Sequence, residues 1–93
     1  MLTPGVRYWP NAGRYALRGW PEGGVVHDEA DGSLYEVTPV AAELMAMIAD
    51  HPGGTADQYA QRLLDQSATA TECEQVAALM VALAEQGFIV QGA

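Results

Sequence analysis

His27, His51 and Cys73 are the only soft metal-ligand or nucleophile candidates in the chain. A structural or catalytic metal centre draws on several such ligands at short spacings, as in CxxC or HxxxH. No two of these three stand at such a spacing, so no metal site is expected. His51 precedes Pro52 and reads as a solvated turn residue. Cys73 falls in the first turn of an expected helix, and its plain reading there is a small, partly buried residue, with a reactive thiol as the alternative. Asp28-Glu29-Ala30-Asp31-Gly32 has clustered carboxylates but neither the length nor the distal glutamate of a calcium loop. Phosphate-binding glycine loops, GxSxG and a Ser/His/Asp set are missing as well. The residues give no footing for catalysis or for a cofactor, and the expectation is a protein that is not an enzyme.

The chemistry that remains is that of binding, and it concentrates on the last helix expected, Thr71 to Gln86. Val76, Leu79, Met80 and Leu83 make an apolar stripe at helical spacing, and a stripe about 100° wide is enough to seat a helix on a core. Ala77, Val81 and Ala84 widen it on one flank, and the glutamates Glu72, Glu74 and Glu85 lie only near the ends. Alanines are good helix formers, so one reading is simply an alanine-rich core helix. The other is a shallow apolar groove along Ala77, Met80, Val81 and Ala84, open to a partner, with Met80 as the adaptable side chain. A DNA-reading helix would carry Arg, Lys, Asn or Gln along its exposed face. This one has no basic residue and three acidic ones.

The elements that must position this helix follow from turn and cap chemistry. Residues 1–13 contain Pro4, Gly5, Pro10 and Gly13 and are expected to be a loosely ordered, extended or turning segment with a short strand over Val6–Trp9. Arg14–Trp20 alternates as a strand, Pro21-Glu22-Gly23-Gly24 turns, Val25–Asp28 is a second strand, and Glu29-Ala30-Asp31-Gly32 is a turn with Asp-Gly as its hairpin dipeptide. Leu34–Val37 is the third strand, with Tyr35 and Val37 on its core face. Trp9 and Trp20 read as core or sheet-face residues, with interface anchors as the alternative. Thr38 can cap a helix whose first residue is Pro39, and Ala41, Leu44, Met45 and Ile48 form its stripe. His51-Pro52-Gly53-Gly54 ends it. Thr55 and Gln58 fit a capping box for a second helix with Ala56, Tyr59, Ala60 and Leu63 inward. A polar connector, 66–70, leads to the third helix, and Gly87 is its expected left-handed cap. Phe88-Ile89-Val90 is a possible final strand. The sum is one α+β domain over residues 1–93: an N-terminal three-stranded antiparallel sheet followed by three helices, in a winged-helix-turn-helix-like arrangement.

Ninety-three residues with 49% hydrophobic content can bury one real core. Twelve acidic residues against four arginines give a net charge of −8, a field that repels nucleic acid and anionic membrane. One cysteine excludes an internal disulfide. The first residues have neither the basic nor the long apolar region of a signal peptide, and no apolar run is long enough to span a bilayer. A soluble cytoplasmic protein is expected.

Taken together, the order of elements and the run Tyr35-Glu36-Val37-Thr38-Pro39-Val40-Ala41-Ala42-Glu43-Leu44-Met45 resemble the PqqD-like family. These are the peptide chaperones of pyrroloquinoline quinone biosynthesis and related leader-recognition domains of ribosomally made, modified peptides. In that family an apolar-Glu-Leu-Asn strand enters a helix opening with paired alanines; Tyr35 to Thr38 and Ala41-Ala42 stand in those places. Gly53-Gly54-Thr55 matches the glycine break and capped helix, and Leu83 to Ile89 the closing Glu-x-Gly-Phe-apolar tail. The match covers roughly residues 15–90 and departs from the family at Thr38-Pro39, Trp20-Pro21 and the doubled glycine. The resemblance implies a non-catalytic chaperone that takes a leader peptide as an added strand. It would present the precursor to a modifying enzyme, such as a radical S-adenosylmethionine enzyme or a cyclase. Leu34, Tyr35, Glu36 and Val37 would supply the edge, and Ala77, Met80, Val81 and Ala84 the groove. A monomer or strand-exchanged dimer is implied. From the residues alone, the competing reading is an acidic winged-helix interaction or regulatory module without a peptide client.

Overall fold

In the computed structural model, residues 5–11, 13–64 and 68–92 are described. The chain is α+β, with three helices and two small antiparallel sheets. Strands β1 (Arg7–Pro10), β2 (Tyr15–Trp20), β3 (Gly23–Asp28) and β4 (Leu34–Val37) precede α1 (Pro39–Asp50). Then come β5 (Gly54–Thr55), α2 (Ala56–Leu63), α3 (Ala70–Glu85) and β6 (Ile89–Gly92). One sheet has the order β2-β3-β4 and is the expected meander; the other has the order β5-β1-β6.

The turn from β4 into α1 is built as the sequence demands. Thr38 is extended, its hydroxyl accepts the Ala41 N–H at 3.2 Å, and Pro39 occupies the first helical position. Ala41, Ala42, Leu44, Met45 and Ile48 are the buried residues of α1. Leu44 and Ile48 are fully buried, and each such side chain is worth about 1.5–3 kcal/mol of transfer free energy. Ala42 lies against the sheet where it is thinnest: a Cβ added to Gly24 would stand 3.0 Å from the Ala42 Cβ and 3.1 Å from the Arg18 carbonyl oxygen. A small residue on the helix and a glycine on the strand let the two backbones close.

Several expectations are met in part or corrected. The short strand expected over Val6–Trp9 is present as Arg7–Pro10, so the 1–13 segment is ordered there. Strand β1 is the central strand of the second sheet, with Arg7 to Pro10 paired to Gly92 to Ile89, and Arg7 and Tyr8 also opposite Thr55 and Gly54. Residues 1–4 and 12 lie outside the described residues, as do 66 and 67 of the expected connector. Three distant segments thus make a sheet, and such non-local pairing leaves little trace in local composition. Helix α3 starts at Ala70, not Thr71. Thr69 is its N-cap and Glu72 its N3 residue, each side chain bonding the other's backbone N–H, and two reciprocal bonds decide the start. Burial of Tyr35 on the core face is incomplete: β4 is a sheet edge, and Tyr35 is 38% exposed, with the Phe88 ring at a centroid distance of 5.4 Å. Trp9 and Trp20 lie in strands β1 and β2, as expected of sheet residues, and stay partly exposed.

The turn joining α1 to β5 is held from inside by Tyr59. Its buried hydroxyl donates to the His51 carbonyl and accepts the Gly54 N–H at 3.0 Å. Gly53, at φ +84°, donates its N–H to the Tyr8 carbonyl at 2.7 Å and so ties the turn to β1. A Cβ on Gly54 would sit 2.8 Å from the Tyr59 ring. Gly54→Ala is therefore expected to cost about 1–3 kcal/mol through overpacking. Tyr59→Phe is expected to cost a similar 1–3 kcal/mol or so by leaving the Gly54 N–H unsatisfied. Urea unfolding followed by circular dichroism measures both.

Candidate functional site

Strand β4 is short, lies at a sheet edge and is held by the hairpin before it. The loop from Glu29 to Gly32 closes with the Asp28 N–H on the Ser33 carbonyl and the Gly32 N–H on the Asp28 carbonyl, both at 2.8 Å. Gly32 takes φ +79°, a left-handed value that glycine adopts without Cβ strain. The loop is thus the four-residue turn expected over Glu29-Ala30-Asp31-Gly32. Beneath it lies a group that the sequence did not single out. The Asp28 side chain is 1% exposed and accepts from Arg14 Nε at 3.3 Å, from Arg14 Nη2 at 3.1 Å and from the Ala30 N–H at 2.9 Å. Chiefly through the bond to Arg14, its carboxyl is held below the ordinary carboxylate pKa. Nothing local in the sequence marks this pair, since the two residues meet only when β2 lies beside β3.

The pairing parity fixes what the edge offers. Antiparallel neighbours alternate between residues that exchange hydrogen bonds and residues that do not. Asp28 bonds toward β4, and Glu29 donates to the Arg14 carbonyl at 2.8 Å. Even-numbered residues of β3 therefore bond β4, and the register places Val26 opposite Tyr35 and Gly24 opposite Val37. Tyr35 and Val37 spend their backbone groups on β3. The N–H and C=O groups of Leu34 and Glu36 point away from the sheet. These two residues form the open edge, and their side chains lie on the sheet's outer face.

The four residues expected to line a helix groove separate in the structure. Met80 is 0% exposed and belongs, with Val76 and Leu83, to the core cluster; Ala77 is buried too. An open groove over Ala77 and Met80 is thereby corrected. The stripe that faces α1 and α2 takes in Met80, and the alanine at 77 is small because it is packed. Only Val81, 43% exposed, and the partly buried Ala84 remain at the surface of that flank. The strand and the end of the helix are joined through aromatic rings. Phe88, just after the Gly87 cap at φ +84°, takes Tyr15 edge-on at 5.1 Å and Tyr35 on another side. Beside this cluster, Tyr15, Leu17, Met45, Ala46 and Phe88 line an apolar cleft of about 340 Å³. The cleft depends on the second sheet's position, so the linear pattern could not disclose it.

His27 and His51 are exposed, the latter 3.4 Å from Arg62 Nη1, and Cys73 is free. Among the described residues no three His, Cys, Asp or Glu side chains are grouped to hold a metal ion, and no helix is long and apolar enough to cross a membrane.

Two measurements follow. Met80→Ala is expected to destabilise the fold by roughly 2–5 kcal/mol, and Met80→Asp to unfold it, as read by thermal denaturation. Asp28 titrates below its unfolded value, so its contribution is present above about pH 4 and fades as pH falls through the lower folded value. The Asp28→Asn protein should therefore lose stability at neutral pH and show a shallower fall of Tm in acid than the parent. Glu72, lowered by its bonds to Thr69, supplies part of the acid dependence that stays.

Compared with family models, curated proteins and solved structures, the chain finds no match.

Proposed function

We propose that the protein is a non-catalytic peptide chaperone of PqqD-like type, binding the leader region of a precursor peptide as an added strand on β4 for presentation to a modifying enzyme. The observation that carries the reading is the open edge of Leu34 and Glu36, whose two N–H and two C=O groups are free to pair with an extended peptide. Main-chain bonds of this kind supply affinity, while neighbouring side chains select sequence. The inner side of such a peptide would meet Tyr35 and the exposed flank of α3 at Val81 and Ala84. A charge of −8 favours a basic peptide by steering. In this reading α2 and α3 form the helix-turn-helix pair of a winged-helix arrangement, used for a peptide instead of a nucleic acid. The protein would act in the cytoplasm, with its enzyme supplied separately.

The experiment is titration with short peptides encoded beside the gene, followed by calorimetry and amide shifts. Micromolar binding with shifts over Leu34–Val37 and along Val81–Phe88 is expected. Two proline variants test the mode. Glu36→Pro removes an outward N–H, and edge strands tolerate proline there, so the fold should persist and binding should vanish. Tyr35→Pro removes a bond to β3 and should destabilise the sheet. If Glu36→Pro binds the peptide as the parent does, strand addition on this edge is wrong. If no peptide binds the well-folded parent, an acidic interaction module takes its place.

A further inference from the structure

The outer face of the β2-β3-β4 sheet carries more apolar surface than its position requires. Leu34 is 69% exposed and Trp20 46%, and both border a depression of about 460 Å³ with Ala16, Arg18, Val25 and His27. The cross-strand register sorts these side chains into rows. Ala16, His27 and Leu34 form one, and Arg18, Val25 and Glu36 the next. In the second row a cation on one outer strand and an anion on the other flank a valine on the central strand. Arg18 is also the one arginine without a hydrogen-bond or ion-pair partner among the described residues. Arg7 donates to the Gly53 carbonyl, Arg14 to Asp28, and Arg62 lies against His51.

We infer that this face is an interface between two copies of the chain, packed sheet on sheet about a two-fold axis along β3. Such an axis exchanges β2 of one copy with β4 of the other. Arg18 then faces Glu36 of the second copy and Glu36 its Arg18, while Ala16 faces Leu34 twice over. Val25 and His27 meet their own counterparts on the axis, and Trp20 extends the apolar area at one end. Sheets pack face to face about 10 Å apart with strands aligned to within about 30°, a gap that an arginine and a glutamate span from opposite sides. Self-complementarity under a two-fold is the defining property of an isologous interface. Two chains of charge −8 repel at distance, so association needs local complementarity, and this row supplies it without a third component. The interface uses the sheet's face and leaves the edge of β4 free, so it stands apart from the peptide-binding reading.

Sedimentation equilibrium of the full chain, with no peptide present, tests the assignment. The parent should show a concentration-dependent monomer–dimer equilibrium. Arg18→Glu and Glu36→Arg should each weaken it by about tenfold or more, since each turns two attractions into repulsions. The double variant, with the charges exchanged, should restore the parental constant. Both side chains are exposed, so the fold should persist, and circular dichroism checks that it does. Glu36→Arg is the stringent arm: it lowers the net negative charge and would strengthen association if bulk repulsion alone governed it. A parent that stays monomeric, a dimer indifferent to the single reversals, or a double variant that stays weak overturns the assignment.

Discussion

The close seat of α1 on the β2-β3-β4 sheet is the constraint from which the other placements follow. Ala42 meets Gly24 where any larger side chain on either would force the layers apart. Seated there, the helix drives Leu44, Met45 and Ile48 into the space between the sheet and the remaining helices. It also fixes β4, because Thr38 and Pro39 leave no slack between the end of the strand and the first helical turn. An edge strand held at one end by a capped helix and at the other by the Asp28 hairpin has little freedom to slip. Register in a four-residue strand would otherwise be weakly specified.

The second sheet does for the chain ends what α1 does for the meander. Strand β1 lies between β5 and β6 and so joins the N-terminal segment to the turn after α1 and to the tail after α3. Two side-chain bonds reinforce it: Arg7 to the Gly53 carbonyl, and Asn11 to the Gly87 carbonyl, each at 2.8 Å. Phe88 is then pinned between two backbone features, the Gly87 cap and β6. It can serve as the shared neighbour of Tyr15 and Tyr35 because its own position is set on both sides.

Much of this was legible in the sequence wherever the determinant is local. Thr38-Pro39, the Thr55/Gln58 box and Gly87 each state a helix boundary through hydrogen bonds closed within a few residues, and the three meander strands are marked by alternation and turns. What was hidden depends on contacts across the fold. The pairing of β1 with β5 and β6, the Arg14–Asp28 bond and the cleft beside Phe88 all join residues far apart in the chain. The candidate site divides along the same line. The edge at Leu34–Val37, which the resemblance implied, sits on the outermost strand of the meander. The groove at Ala77 and Met80 failed because a helical stripe shows which residues are apolar without showing how wide a face its neighbours cover. Here Met80 is buried in the core cluster while Val81, the next residue, is 43% exposed.

Strand parity gives Leu34 and Glu36 a double aspect. In a strand the backbone groups lie in the sheet plane and the side chains stand normal to it. The atoms that would pair with a guest strand are thus different from the atoms that form the outer face. The proposed peptide edge and the proposed two-fold face would therefore use the same two residues of this sheet without competing for the same atoms. The arrangement also limits misuse of the open edge. Only two residues present unpaired backbone outward, Pro39 stops the strand from lengthening, and Glu36 adds charge beside it. Short length, proline and charge are the devices by which edge strands avoid indiscriminate pairing. An edge so restricted gains little from main-chain bonds alone, so a strand added there as proposed would be selected by side chains, Tyr35 against Phe88 among them.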